Sequence, residues 1–360
     1  MNKKSVIKGK TENYKIVAYV HGRQDSWGEN NEKANQVTHI NYAFANIKDG
    51  KVIEGNENDA EALQKLNQLK LTNKNLKILI SVGGWSWSKN FSDAVLNKNS
   101  RQKFANSAIN FVIKHKIDGV DLDWEYPGQI GDNNRFRPED KENFTAILQL
   151  LRKKLDSLAS GKKTYLLTVA TGANQSYLDH TDMRKAQKYL DYINIMTYDF
   201  VTGGSNGTGH HSNLEESRFD SETFKKSSRN SVQEHILAGI PSRKIVLGVP
   251  FYGRYWKGVN PKNHGLYQLA KGQTGGYGYK AIADSINSKV FTPYWDDSAK
   301  APYIWRDKDS LFITYGNTKS MQYKVDFVKK EKLGGVMFWQ FSGDNGDLLK
   351  TLSDHLKKDN

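Results

Sequence analysis

Eight short runs rich in β-branched and aromatic residues recur along the chain, and stretches with helical spacing of apolar residues lie between several of them. The runs are Lys15–Val20, Thr38–Ala45, Lys77–Gly84, Gly119–Tyr126, Thr164–Thr171, Tyr192–Asp199, Lys244–Tyr252 and Gly334–Phe341, and each reads as a strand. The spacing predicts helices over Ala60–Leu71, Arg101–His115, Asn143–Leu158 and Ser221–Gly239. Eight strands alternating with helices predict an α/β chain folded as a (β/α)8 TIM barrel, where loops at the strand C-termini build the site.

The connection from Tyr252 to Gly334 is far longer than a βα loop, about eighty residues rich in Gly and Tyr. A structureless loop of that length is rare in a compact domain, so the stretch predicts a small α+β insertion between the seventh and eighth strands. The expected division is a barrel over 14–254 and 313–357 with the insertion over 255–312. Such an insertion stands beside the barrel mouth and deepens the cleft.

The fourth run breaks the apolar pattern. "IDGVDLDWEYPG", Ile117–Gly128, sets Asp118, Asp121, Asp123 and Glu125 among Ile117, Val120, Leu122 and Trp124. Alternation at about 3.3 Å per residue puts Asp121, Asp123 and Glu125 on one face, about 6.6 Å apart. Val120, Leu122 and Trp124 then face the helices, while the acids face the barrel axis with Glu125 nearest the rim. Three carboxylates in a partly dry site cannot all ionise easily, so at least one proton is held to higher pH. A glutamate that keeps its proton near neutrality suits a general acid. A polar barrel core and a hard-cation site for Mg²⁺ or Ca²⁺ are competing readings, although no EF-hand spacing or second acid cluster points to the latter. Asp118 falls off the alternating face and is expected to serve the start of the strand.

Other strand ends supply Phe44, Trp85, Tyr198, Tyr252 and Trp339, with Trp27 in the first βα loop. Flat aromatic faces around carboxylates suit sugar rings, which stack by their C–H faces while polar groups read the hydroxyls. No GxGxxG or Walker loop is present to cradle phosphates, and the glycines of "SVGG" and "GGVMFW" are expected to allow tight turns at the rim.

A net charge of +14 raises nucleic acid or an anionic surface as a partner. The lysines are scattered over helix-like stretches such as "LRKKLDSL" and "FVKKEKLG", so a solvated basic surface and no nucleic-acid partner are expected. Cysteine is absent, which excludes disulfides and thiolate metal sites. No apolar run approaches the ~18 residues of a membrane span. "MNKKSVIKGKTENYK" has the lysines of a signal n-region without an apolar h-region, so the protein either stays inside or is a mature form.

"DGVDLDWE" resembles the DGxDxDxE signature of glycoside hydrolase family 18, the chitinases and their relatives. "YAFA", "SVGGW", "MTYD", "GVPFYGR" and "GGVMFWQFSGD" match further blocks in order along the barrel. The family is a substrate-assisted exception among retaining glycosidases. The resemblance implies that Glu125 protonates the glycosidic oxygen and that the substrate's own 2-acetamido carbonyl attacks C1. Asp123 would then orient the acetamido N–H, and Tyr198 would hold the acetamido oxygen. Asp121 would share a proton or hydrogen bond with Asp123, with Tyr19 and Ser81 as partners behind it. Trp339 would form the floor under the sugar at the cleavage site and Trp85 would stack under the next. Met196, Asp199, Tyr252, Arg254 and Phe44 would line the same pocket. Two blocks depart from the family: strand one reads "AYVHGR" for a GYY-type start, and "TYGNTKS" replaces a Tyr-Asp-Asp.

The resemblance implies a chitinase cutting β-1,4-linked N-acetylglucosamine polymers, exported because such a polymer cannot be imported. Relatives that cut N-glycan cores or other acetamido-sugar polymers share the acids, and non-catalytic lectins of the family lose the Glu or its Asp partner. No cofactor or metal is implied, and a monomer is expected.

Overall fold

The computed structural model describes residues 14–22, 27–28, 31–159, 164–205, 207–221 and 225–357. Residues 1–13 of the lysine-rich start therefore lie outside the described residues. The first eight strands are β1 (Lys15–His21), β2 (His39–Lys48), β3 (Lys51–Ile53), β4 (Lys77–Gly83), β5 (Gly119–Asp123), β6 (Leu166–Gly172), β7 (Tyr192–Met196) and β8 (Ile245–Pro250). Then follow β9 (Tyr252–Trp256), β10 (Thr274–Gly278), β11 (Thr292–Asp296), β12 (Ala301–Arg306), β13 (Leu311–Thr314) and β14 (Gly335–Trp339). Parallel pairing in the order β1-β14-β8-β7-β6-β5-β4-β2 closes on itself through β1 and β2, which makes a (β/α)8 barrel. Strand β3 only folds back antiparallel on the end of β2.

The alternation that predicts the strands also sorts their side chains. Ile16, Ala18 and Val20 of β1, Ile78, Ile80 and Val82 of β4, and Val120 and Leu122 of β5 join the helices in one large apolar cluster. Val17, Tyr19, Tyr192, Val246 and Met337 pack together as a second, smaller cluster within the barrel. A one-residue slip in any of these strands would exchange the two sets, so burial on both sides pins the register. Beyond the barrel, β10-β9-β13-β12-β11 form an antiparallel sheet with its own apolar cluster around Trp256, Trp305 and Phe312. Strands β9 and β13 carry this sheet out to Tyr252 and Thr314, past the expected 255–312 on both sides.

Helix ends follow their caps more closely than their apolar spacing. The helix expected from Arg101 runs Lys98–His115, because Asn97 and Ser100 close a reciprocal capping box three residues earlier. The helix expected over Ser221–Gly239 runs only Ser228–Leu237. There Ser227 Oγ accepts the Asn230 N–H at 3.1 Å, and that cap stops the helix from extending backwards. Residues 222–224 of that expectation lie outside the described residues. Among the described residues no helix is long and apolar enough to cross a membrane.

Candidate active site

Strand β5 carries the acids into the barrel. Its register against β4 pairs Ser81 with Asp121 and Gly83 with Asp123, and against β6 it pairs Asp121 with Thr168. Asp118, at the foot of the strand, accepts the Ile78 N–H at 2.9 Å and pairs with Lys70 at 2.6 Å. The strand expected to run on to Tyr126 ends at Asp123. Its partner β4 stops at Gly83, and the Glu125 N–H turns away to Ser88 Oγ at 2.9 Å. Glu125 thus sits on the turn above the ladder.

The acids become less solvated with depth: Glu125 is 8% exposed, Asp123 4% and Asp121 0%. Asp121 Oδ2 accepts from Tyr19 and Ser81 hydroxyls, each at 2.8 Å, and Oδ1 accepts from Thr168 Oγ1 at 2.5 Å and Asn194 Nδ2 at 3.5 Å. Donors on both oxygens occupy the lone pairs that a hard cation would need, which speaks against the metal reading for Asp121. Burial raises the Asp121 carboxyl above its ordinary value, and the three hydroxyls and the amide oppose that rise. Asp123 is pushed well up by burial and by the charges of Glu125 and Asp121. Among the described residues its buried Oδ1 has no hydrogen-bond partner, so Asp121 acts on it through charge. Burial pushes the Glu125 carboxyl up to about 7, with Asp199 adding to the effect and the Tyr126 hydroxyl opposing it. A carboxyl holding its proton to that pH can act as a general acid under physiological conditions.

Above the acids lies a cavity of about 780 Å³. Asp123, Glu125, Phe44, Trp85, Met196, Tyr198, Asp199, Tyr252, Arg254 and Trp339 all line it. Trp339 stacks on Phe44 with centroids 5.5 Å apart and leans on Tyr19 at 6.0 Å, so its face is held firm from below. Trp85 stands at the rim, 51% exposed, edge-on to Tyr126 at 6.4 Å. Its position depends on Gly84, whose φ of 75° favours glycine and whose added Cβ would lie 2.6 Å from the Phe44 ring. Tyr198 meets Tyr252 edge-to-face at 6.1 Å, and its hydroxyl points to Met337 Sδ at 3.9 Å. Arg254 forks onto both oxygens of Asp199, Nε at 2.8 Å and Nη2 at 2.5 Å. Despite its burial, the nearby His211 ring and the Arg254 fork hold the Asp199 carboxyl far below the usual range.

Tyr19 and Ser81 lie under the cavity as donors to Asp121. Trp27 lies elsewhere, buried and stacked on Phe341 at 4.1 Å. The sequence reading missed Thr168 and Asn194 beneath the cavity and His21, Asn56, Trp87, Tyr126 and Thr202 on its walls. Thr168 and Asn194 had a signal: each is a polar residue at an inward position of a strand that is otherwise mostly apolar. Asn56 and Thr202 had none, because loop residues reach the wall only through the folded connections.

The family model described as glycosyl hydrolases family 18 matches residues 15–344. Chitinase A1 of Niallia circulans is similar at 41% identity over 94% of this chain and 52% of its own length, so the chain spans about half of that relative. Chitinase B of Serratia marcescens is 32% identical over 89% of this chain and 76% of its own. Among solved structures, a family 18 N-acetylglucosaminidase from Paenibacillus barengoltzii is similar with a TM-score of 0.88 at 40% identity, covering 95% of this chain and 100% of that one.

Proposed function

We propose a reaction for this cleft from one premise: the chain belongs to glycosyl hydrolase family 18. The reaction is hydrolysis of β-1,4 linkages between N-acetylglucosamine units in chitin or chito-oligosaccharides, with retention at the anomeric carbon. The observation that carries it is the buried Glu125 above Asp123, with a carboxyl pushed up to about 7, at the floor of an aromatic cavity.

Glu125 donates its proton to the glycosidic oxygen as the bond to C1 breaks. The acetamido carbonyl oxygen of the same sugar forms the new bond to C1, giving a cyclic oxazolinium ion. Asp123 orients the acetamido group by accepting its N–H on a carboxyl oxygen, a dipole fixed in place before the positive charge develops there. Tyr198 faces the acetamido oxygen from the far wall. Trp339, braced by Phe44 and Tyr19, gives the sugar ring a flat floor. Water then attacks C1 and displaces the acetamido oxygen, which returns to an ordinary amide carbonyl, while Glu125, now a carboxylate, takes the water's proton. Because the nucleophile comes from the substrate, no second protein carboxylate needs to stand across the sugar. General acid assistance of this kind contributes about 10²–10⁴-fold to the rate.

The test compares acetylated and deacetylated oligomers of the same length, with the anomer released followed by NMR. Cleavage of acetylated chains alone, with the β-anomer appearing first, is expected. Equal cleavage of glucosamine oligomers would rule out participation of the acetamido group. Chitinase A1 and the Paenibacillus N-acetylglucosaminidase bear different activity names, and the latter is matched over its full length. Release of monomer rather than dimer would place this chain with the second. A polymer substrate too large for uptake also supports action outside the cell.

A further inference from the structure

Behind the cavity wall, His211 lies in the connection that follows β7, with its side chain wholly buried. Its main chain is fixed at two points: the N–H donates to Thr314 Oγ1 at 3.3 Å, and the carbonyl accepts the Phe200 N–H at 3.1 Å. The ring lies 5.2 Å from the Tyr252 ring, and Nδ1 lies 3.5 Å from Asp199 Oδ1. His211 therefore touches two cavity-lining residues without lining the cavity.

We propose that His211 is a positioning residue: a neutral imidazole with its proton on Nδ1 that holds the Asp199 carboxylate and the Tyr252 ring in place from behind. The inference rests on the hydrolase reading of the cleft. The charged groups around the ring decide its form. Asp199 favours the imidazolium, whereas Arg254 and the buried Lys324 oppose it. Lys324 reaches the same segment by donating to Ser212 Oγ at 2.6 Å, and Ser212 Oγ in turn donates to the Thr197 carbonyl at 2.9 Å. Burial outweighs the carboxylate and lowers the histidine below its ordinary value. A neutral imidazole has one donor nitrogen and a carboxylate only accepts, so the nitrogen facing Asp199 must carry the proton.

Arg254 already forks onto Asp199, whereas the His211 Nδ1 approach at 3.5 Å is a close contact without hydrogen-bond geometry, and among the described residues neither ring nitrogen has a hydrogen-bond partner. His211 therefore adds orientation more than strength. Orientation matters because the Asp199 charge helps hold the proton on Glu125. Tyr252 in turn packs edge-on against Tyr198, which faces the acetamido group in the proposed reaction.

The experiment uses the full chain with His211→Asn, which keeps a donor near the Nδ1 position, and His211→Phe, which keeps a ring and has none. Turnover of acetylated oligomers is measured against pH, and the wild-type imidazole is observed by 15N NMR without substrate. We expect His211→Phe to lose on the order of 10–100-fold in kcat, as misplacement of a supporting group does, with its basic limb moved to lower pH. His211→Asn should keep most of the turnover and the wild-type limb. The NMR arm should find a neutral Nδ1–H imidazole from about pH 7 to 8. Equal losses in both variants with the limb unmoved, an unaffected His211→Phe, or an imidazolium or Nε2–H tautomer would each overturn the proposal. If wild type cleaves no acetylated oligomer, the hydrolase reading fails, and the NMR arm still decides the form of His211.

Discussion

Replacing Glu125 by Gln should stabilise the fold, and by an amount that depends on pH. The Glu125 carboxyl is 8% exposed, and burial lifts it from an ordinary 4.5 to about 7. A carboxyl raised in the folded state loses its proton more readily once unfolded. Its contribution is therefore undiminished below about pH 4.5 and is progressively lost as pH rises to about 7, beyond which the deficit is constant. The gap between those two values corresponds to roughly 3 kcal/mol. Gln has nearly the same shape and carries no charge at any pH, so it escapes this cost. It also relieves Asp123, which the Glu125 charge pushes upward, and that relief has the same sign. Denaturant unfolding of both proteins at intervals from pH 4 to pH 8.5 reads the difference directly. The stability gap should widen by roughly 3 kcal/mol across that range and level off above neutrality. A gap that stays constant with pH, or a variant less stable at pH 8 than wild type, would refute the claim that Glu125 sits in a desolvated site at the expense of the fold.

The same carboxyl sets the basic limb of activity: kcat should fall as pH rises through about 7, and a pH–rate profile with its basic limb near 5 would contradict the assignment. Trp85→Ala removes a rim ring that is 51% exposed and, in the proposed reading, stacks under the sugar next to the cleavage site, so KM for three- to six-sugar chains should rise by about fivefold, an aromatic contact of about 1 kcal/mol; an unchanged KM would remove Trp85 from that place. Gly55→Ala places a Cβ 2.0 Å from Trp87 Cζ3 and 2.7 Å from the Phe44 carbonyl, so thermal unfolding should show a loss of about 1–3 kcal/mol. An unchanged melting temperature there would mean that the Trp87 ring moves freely, against the wall geometry described.

Much of this was legible in the sequence, because barrel strands with both faces buried leave a two-sided signature. Val120 and Leu122 against Asp121 and Asp123 identify β5 and its inward face at once. The cavity-lining aromatics were found because strand C-termini in a closed barrel converge wherever the chain returns. What escaped were facts of register and of loops. That Thr168 stands beside Asp121 follows from the β5–β6 pairing, which alternation within one strand cannot supply. Asn56 reaches the wall because Asp59 Oδ2 accepts the N–H groups of Gly55 at 2.7 Å and Asn56 at 3.0 Å and folds that turn inward. His211 offered no periodic signal, since it lies in an irregular connection whose burial depends on β9, β13 and the helix bearing Lys324. The end of β5 was overrun by three residues because "DWEY" keeps strand-like composition after its ladder partner has stopped.

The central claim is that Glu125 is the acid in hydrolysis of N-acetylglucosamine polymers, and product analysis tests it most directly. Wild type and Glu125→Gln are incubated with N-acetylglucosamine oligomers of four to six units, beside a high-mannose glycoprotein, and the products are identified by mass spectrometry. Cleavage of the oligomers by wild type, with turnover reduced by about 10²-fold or more in the variant, is the predicted result. Oligomers left intact by wild type, or cut equally well by the variant, would contradict the account.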